Sequence, residues 1–179
     1  NRYVQATGET FRQIMRNDIK DVGMSMNDPK IAIKEIKPKK FRYEINTSND
    51  YFDPNLREIT IEARTWPAGM DPTPLDSLDL QFVKFVKDPN GVISEDPYPI
   101  TGVAVQPTET DTIFWYYDKD LQKIPRKVNG AFSIPTEEDI KEIQYVQFKL
   151  VVRSKEIYQG KFIYAVIEER VFLKNVWEF

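Results

Sequence analysis

The sequence contains no cysteine and no histidine. Without cysteine there is no disulfide framework, no thiolate zinc site and no Cys nucleophile. Without histidine there is no Ser-His-Asp triad and no imidazole to ligate a metal. Any enzyme built on this chain would have to use carboxylates, Lys, Tyr or Ser. Glycine is scarce, at seven residues. None of them forms a G-x-G-x-x-G or a P-loop, so no phosphate cradle is readable. No run of about 18 apolar residues occurs, so nothing here reads as a membrane-spanning helix. Basic excess is missing as well: the net charge is −3 and the pI about 5.2. A nucleic-acid or anionic-membrane binder would carry a basic stripe, so nucleic acid is not an expected partner.

What is present is a globular composition, 41% apolar and 30% charged. The 179 residues suffice for one domain with its own core. No shift in composition marks a linker. The first segment repeats its apolar residues at about 100° per residue, the period of a helix. Val4, Phe11, Met15 and Val22 fall in a narrow stripe, with Ile14 and Ile19 on its flanks. Arg2, Gln5, Glu9, Arg12, Arg16 and Lys20 lie elsewhere. This pattern predicts an amphipathic helix with one buried face, Val4, Phe11, Met15, Ile19 and Val22 being its core residues. Gly23 suits the left-handed residue that ends such a helix. The usual Ser, Thr, Asp or Asn cap does not precede the pattern, so the helix is expected to continue upstream of Asn1. Asp18 lies about 40° from the centre of the stripe. A carboxylate at the edge of a buried face must find donors, so Asp18 is read as a structural acceptor from backbone, Tyr or Arg rather than a catalytic group.

After Pro29 the period changes to two. Phe41, Tyr43 and Ile45 alternate with Arg42 and Glu44, and Ile59, Ile61 and Ala63 with Thr60, Glu62 and Arg64. These are half-buried antiparallel strands. Leu78–Lys87 fits a helix through Leu75, Leu78, Phe82 and Phe85, but the turn Asp88–Gly91 after it favours a strand entering a hairpin. Trp66–Pro74 and Ser94–Gly102 read as Pro-rich connections. Thr112–Asp118 reads as an aromatic strand, and Asn129–Gly130 as a tight hairpin turn. Pro135–Asp139 reads as a helix or turn start with Thr136 as its cap. Val146, Phe148, Leu150 and Val152 alternate through another strand. Ile163, Ala165, Ile167, Val171 and Leu173 share one face of a last long one. The expected order is one helix followed by seven to nine strands. That is an α+β fold in which an N-terminal amphipathic helix packs on antiparallel sheet.

Carboxylates cluster in Asn49–Asn55, Asp88–Asp96 and Asp118–Asp120. Calcium takes oxygen ligands at such spacings. The Asp88–Asp96 segment lacks the full EF-hand pattern, however. Solvated turn chemistry is the preferred reading and calcium its alternative. Trp66, Trp115, Tyr116 and Tyr117 are the candidates for a sugar-stacking platform. A carboxylate pair for glycoside chemistry is the third option. No catalytic constellation is readable, no cofactor is called for, and the chain is read as a non-enzyme.

The stretch Phe11–Gly23 resembles the one that follows the transmembrane half of the N-terminal helix in minor pilins and pseudopilins of the PilW and GspJ type. The matching positions are Phe11, Ile14, Met15, Asp18, Ile19 and Gly23. Pro99–Asp120 looks like the middle of such proteins, and Glu168–Asn175 like their final strand, although Lys174 stands where an arginine is usual. The resemblance implies a pilin-like fold, with residues 1–24 as the lower half of the long helix and 25–179 as a single β-rich head. It implies a short basic leader cut by a prepilin peptidase and an apolar anchor of about 20 residues, enough to cross a bilayer. The protein would sit in the inner membrane with a periplasmic head, then enter a type IV pilus or a type II secretion pseudopilus near its tip. Its partners would be other minor pilins or pseudopilins. The helix face carrying Arg2, Glu9, Arg12 and Arg16 would be free for neighbouring subunits. The rival expectations are a sugar- or surface-binding β module on an anchor helix, and a carboxylate-dependent hydrolase.

Overall fold

The computed structural model describes residues 2–48, 50, 52–67, 69, 80–97, 105–106, 112–129, 131–132, 134–154 and 156–178. Residues 2, 3, 97, 105, 106, 127, 128, 131 and 132 are described by their backbone alone. The expected loop beyond Pro67 apart from Gly69, the positions Leu75 and Leu78, the connection beyond Pro97, Gly130 and the side chain of Arg2 lie outside the described residues.

The chain opens with α1, Arg2–Lys20. A 3₁₀ turn at Pro29–Ile31 leads to β1, Ile33–Ile36, and β2, Lys40–Asn46. Next come β3, Leu56–Arg64, β4, Gln81–Lys87, and β5, Ile93–Pro97. β6, Val105–Gln106, and β7, Phe114–Tyr117, follow. Three short strands come next: β8, Lys123–Ile124, β9, Lys127–Val128, and β10, Ala131–Phe132. Then come α2, Glu137–Lys141, β11, Tyr145–Arg153, β12, Tyr164–Phe172, and α3, Lys174–Trp177. The described strands thus outnumber the seven to nine expected. The surplus is four strands of two residues, too short for any periodicity to reveal.

Two antiparallel sheets carry the fold. One is the meander β1-β2-β3-β4-β5. The other runs β12-β11-β7-β8, with β6 also paired to β11. β9 and β10 form a separate ribbon. The inward residues of both sheets meet in one apolar core, in which Phe41, Phe82, Phe114, Val146, Phe148 and Ile167 take part. Rings join the sheets directly: Phe82 and Phe41 each lie 6.1 Å from Phe114. Leu78–Lys87, ambiguous in sequence, is strand from Gln81 onward. β11 and β12 pair over nine residues, from Tyr145↔Phe172 to Arg153↔Tyr164.

α1 packs on these antiparallel sheets, which makes the architecture α+β. Phe11, Met15, Ile19 and Val22 are fully buried and Val4 nearly so. Burying side chains of this size stabilises by about 1.5–3 kcal/mol each. Gly8 lets the helix approach β12 closely, since a Cβ there would stand 3.0 Å from Ile167 Cδ1. The far end is capped from outside the helix: Asn175 Nδ2 donates to the Lys20 carbonyl at 2.7 Å. Gly23 reverses the chain at φ +73. Its N–H donates to the Glu44 carbonyl, so the exit from α1 is tied to β2. Thr136 caps α2 in a reciprocal box with Asp139.

Gly23 and Gly91 are both left-handed, but their surroundings differ. A Cβ at Gly23 would meet Pro29, Val176 and Ala32 at 3.2–3.4 Å, whereas at Gly91 it would meet nothing. Gly91→Ala is expected to cost about 1–2 kcal/mol from φ alone. Gly23→Ala should cost at least about 1 kcal/mol more, through crowding. Urea denaturation of both variants checks the difference.

Candidate functional site

The feature that distinguishes this molecule is the seam where α1 lies between the two sheets. Each sheet carries a charged residue within an apolar inward row of one strand. On β4 the inward row is Phe82, Lys84, Val86, set by the pairing of Lys84 with inward Ile61. On β12 it is Ile167, Glu169, Val171. The two charges have opposite signs. At about 100° per residue, Asp18 projects from one side of the apolar stripe and Arg12 and Arg16 from the other.

The charges meet accordingly. Lys84 Nζ donates to Asp18 Oδ1 at 2.8 Å. The Tyr43 hydroxyl donates to the Asp18 carbonyl at 2.9 Å, holding the same turn of helix against β2. On the other flank Arg16 Nε stands 3.2 Å, and Arg12 3.5 Å, from the Glu169 carboxylate. Between the flanks the Phe11 ring packs edge-on against Phe82 at 5.4 Å. Burial, and next the Asp18 and Asp21 carboxylates, hold the Tyr43 hydroxyl well above its ordinary range, so it stays a donor.

These contacts correct the expected assembly face. Arg12 and Arg16 do not point away from the domain: Glu169, on the inward face of β12, draws both onto the sheet. Glu9 is exposed and pairs with Arg12. The outward face consists instead of Gln5, Glu9, Gln13, Asn17 and Lys20. Asp18 sits at the edge of the buried stripe as an acceptor and takes a hydrogen bond from Lys84, a donor outside the backbone, Tyr or Arg expected. Lys84 and Glu169 were missed in the sequence. The signal was there, since each is a lone charge interrupting an apolar period-two face.

Several of the other candidate groups are engaged in turns or core. Asp88 Oδ1 accepts from the N–H groups of Asn90 and Val92, both at 2.9 Å. Asp50 Oδ1 likewise accepts from the Phe52 N–H. Asp118 Oδ1 accepts from Asp120 and Gln122, while its Oδ2 pairs with Arg126 at 3.0 Å. Among the described residues no group of three or more Asp and Glu side chains is arranged to hold a metal. Of the supposed sugar platform, Tyr116 and Tyr117 are buried and Trp66 and Trp115 half-buried. The Tyr116 hydroxyl is spent on the carbonyls of Lys37 and Lys40.

Asp21 shares the Asp18 flank of the helix. Burial, and next the Asp18 carboxylate, push its carboxyl above the ordinary value, with Lys84 opposing. A carboxyl raised on folding binds its proton more tightly in the native state, so its charged form costs stability at neutral pH. That cost fades as pH falls toward the ordinary Asp range. Asp21→Asn is expected to stabilise the chain at about pH 7, by less than about 1 kcal/mol because the group is partly solvated. The gain should vanish near about pH 3. Urea titrations at the two pH values measure both. A double-mutant cycle of Asp18→Asn with Lys84→Met should give a coupling of about 1–2 kcal/mol. The solvated Glu9–Arg12 pair should show a much weaker coupling.

No protein-family model, no curated protein and no solved structure matches this chain.

Proposed function

We propose that this chain is the head domain of a minor pilin or pseudopilin, a structural subunit that assembles with other pilin-like subunits and performs no catalysis. One observation supports this reading above the rest. A single N-terminal helix gives its apolar face to antiparallel sheets and leaves a polar face outward, in a chain whose residues 11–23 follow the pilin-like pattern. In this reading α1 is the lower half of a longer helix whose upper half anchors the full-length protein in the inner membrane. The head would be periplasmic before it enters the filament.

The corrected helix surface changes how such a subunit would meet its neighbours. Arg12 and Arg16 are occupied by Glu169, so contact would fall on the row Gln5, Glu9, Gln13 and Asn17, with Lys20 beside it. Glu9 is paired with Arg12, so this row offers a neighbour mainly uncharged polar groups for packing and hydrogen bonding.

None of these 179 residues is cysteine, so a crosslinking position can be placed on the head at a chosen site. The full-length gene product, expressed in its own cells with a single cysteine in place of Gln13, should fractionate with the inner membrane. It should shorten only when the prepilin peptidase is present, and it should crosslink to another pilin-like subunit. A product released in soluble form after ordinary signal cleavage would overturn the reading.

A further inference from the structure

The edges of the two sheets are not alike. β1 has four residues, β5 has five with Pro97 as its last, and β6 and β8 have two each. An edge that is short, or closed by proline, resists pairing with another chain. β12 is also an edge, and it runs nine residues. It pairs with β11 without a break in register. Its other side meets no strand among the described residues. No turn, loop or side chain among them hydrogen-bonds to the backbone of residues 164–172 on that side. α1 packs on the inward face of β12 and meets β11 as well, so it lies over the sheet and not along its border.

The outward row of this edge is Tyr164, Val166, Glu168, Arg170 and Phe172. Val166 is 63% exposed, although it is apolar. Glu168 and Arg170 each hydrogen-bond to the neutral Gln147 on β11, and the Arg170 guanidinium lies 4.7 Å from the Tyr117 ring. Neither enters an ion pair among the described residues. From Val166 onward the row reads apolar, acid, base, apolar, which is its own complement when reversed. A second copy laid antiparallel about an axis at Glu169 would oppose Glu168 to Arg170 twice and Val166 to Phe172 twice. Opposed residues share a face, so the neighbouring registers centre on Glu168 or on Arg170. They would set Glu168 against Glu168, or Arg170 against Arg170, and like charges directly opposed are destabilising. On the inward face Glu169 would oppose its own copy, each carboxylate with Arg12 and Arg16 beside it.

We propose that β12 is a homodimer interface, at which two copies join antiparallel along residues 166–172 and continue the β12-β11-β7-β8 sheet across a two-fold axis. The occupant is a second copy because the row to be matched is the row that the strand itself supplies. The inference goes beyond the proposed function and does not rest on it. A two-fold axis normal to the sheet reverses the direction of α1, which lies on that sheet. Within the filament reading, the two copies would therefore belong to two filaments and would not be neighbours in one.

Sedimentation equilibrium of the chain across micromolar to millimolar concentrations tests it. The chain should form a dimer and stop there, because the pairing uses up the edge. Glu168→Arg alone, or Arg170→Glu alone, should weaken the dimer at least about tenfold, since each sets like charges against one another twice. The double reversal Glu168→Arg/Arg170→Glu should restore it. Mixing the two single variants should restore pairing as well, now between unlike chains. Circular dichroism confirms that every variant is folded. A chain that stays monomeric at millimolar concentration, or assembly that grows past the dimer, would overturn the proposal. So would a dimer indifferent to the single reversals, or a double reversal as weak as the singles.

Discussion

The helix α1 must satisfy two sheets at once, and the rest of the structure depends on how it does so. Its stripe of Phe11, Met15, Ile19 and Val22 is completely buried. An apolar stripe alone specifies a face but not a rotation within a wide groove, because the hydrophobic effect is non-directional. The rotation is set by charge. Asp18 can meet Lys84 only on the β4 side, and Arg12 with Arg16 can meet Glu169 only on the β12 side. Rolling the helix either way would carry a charge into apolar surroundings, at a cost well above that of an exposed pair.

The same contacts locate the two ends of the helix. Gly8 allows close approach to Ile167 at one end, and Asn175 satisfies the Lys20 carbonyl at the other. The last segment of the chain therefore closes against the first. After Gly23, the Met24 carbonyl accepts from the Asn46 N–H, and the Ala32 carbonyl from the Glu44 N–H. The connection is thus paired along β2 before β1 begins. On the opposite side backbone bonds from Ile113 and Phe114 to Pro38 join the sheets, and a recess lies beside that closure.

Much of this was legible in the sequence, and the reasons differ by element. The stripe of α1 was readable because five large apolar residues repeat at the helical period. β2, β3, β11 and β12 were readable because one face of each is apolar. Gly23 and Thr136 announced a helix end and a helix start. The division into two sheets was not readable, since it depends on pairings such as Gln147↔Trp115 between residues far apart in the chain. Glu169 escaped notice because a charge within an apolar row reads as a break in the pattern rather than as a partner. The expected free face containing Arg12 and Arg16 failed for that reason: a helical wheel shows what leaves the stripe, not what waits opposite. The recess by Pro38 is assembled from β1, β7 and β8, and no local stretch encodes it.

The central claim is that α1 is an integral part of the core, held from both sides, and not an arm resting on a finished β domain. Native-state hydrogen exchange of the amides from Phe11 to Val22 tests this most directly. If the claim holds, these amides open with the same free energy as those in the middle of β3 and β11, within about 1 kcal/mol, because all of them exchange through global unfolding. Exchange of α1 at a free energy lower by several kcal/mol, with β3 and β11 still protected, would contradict it.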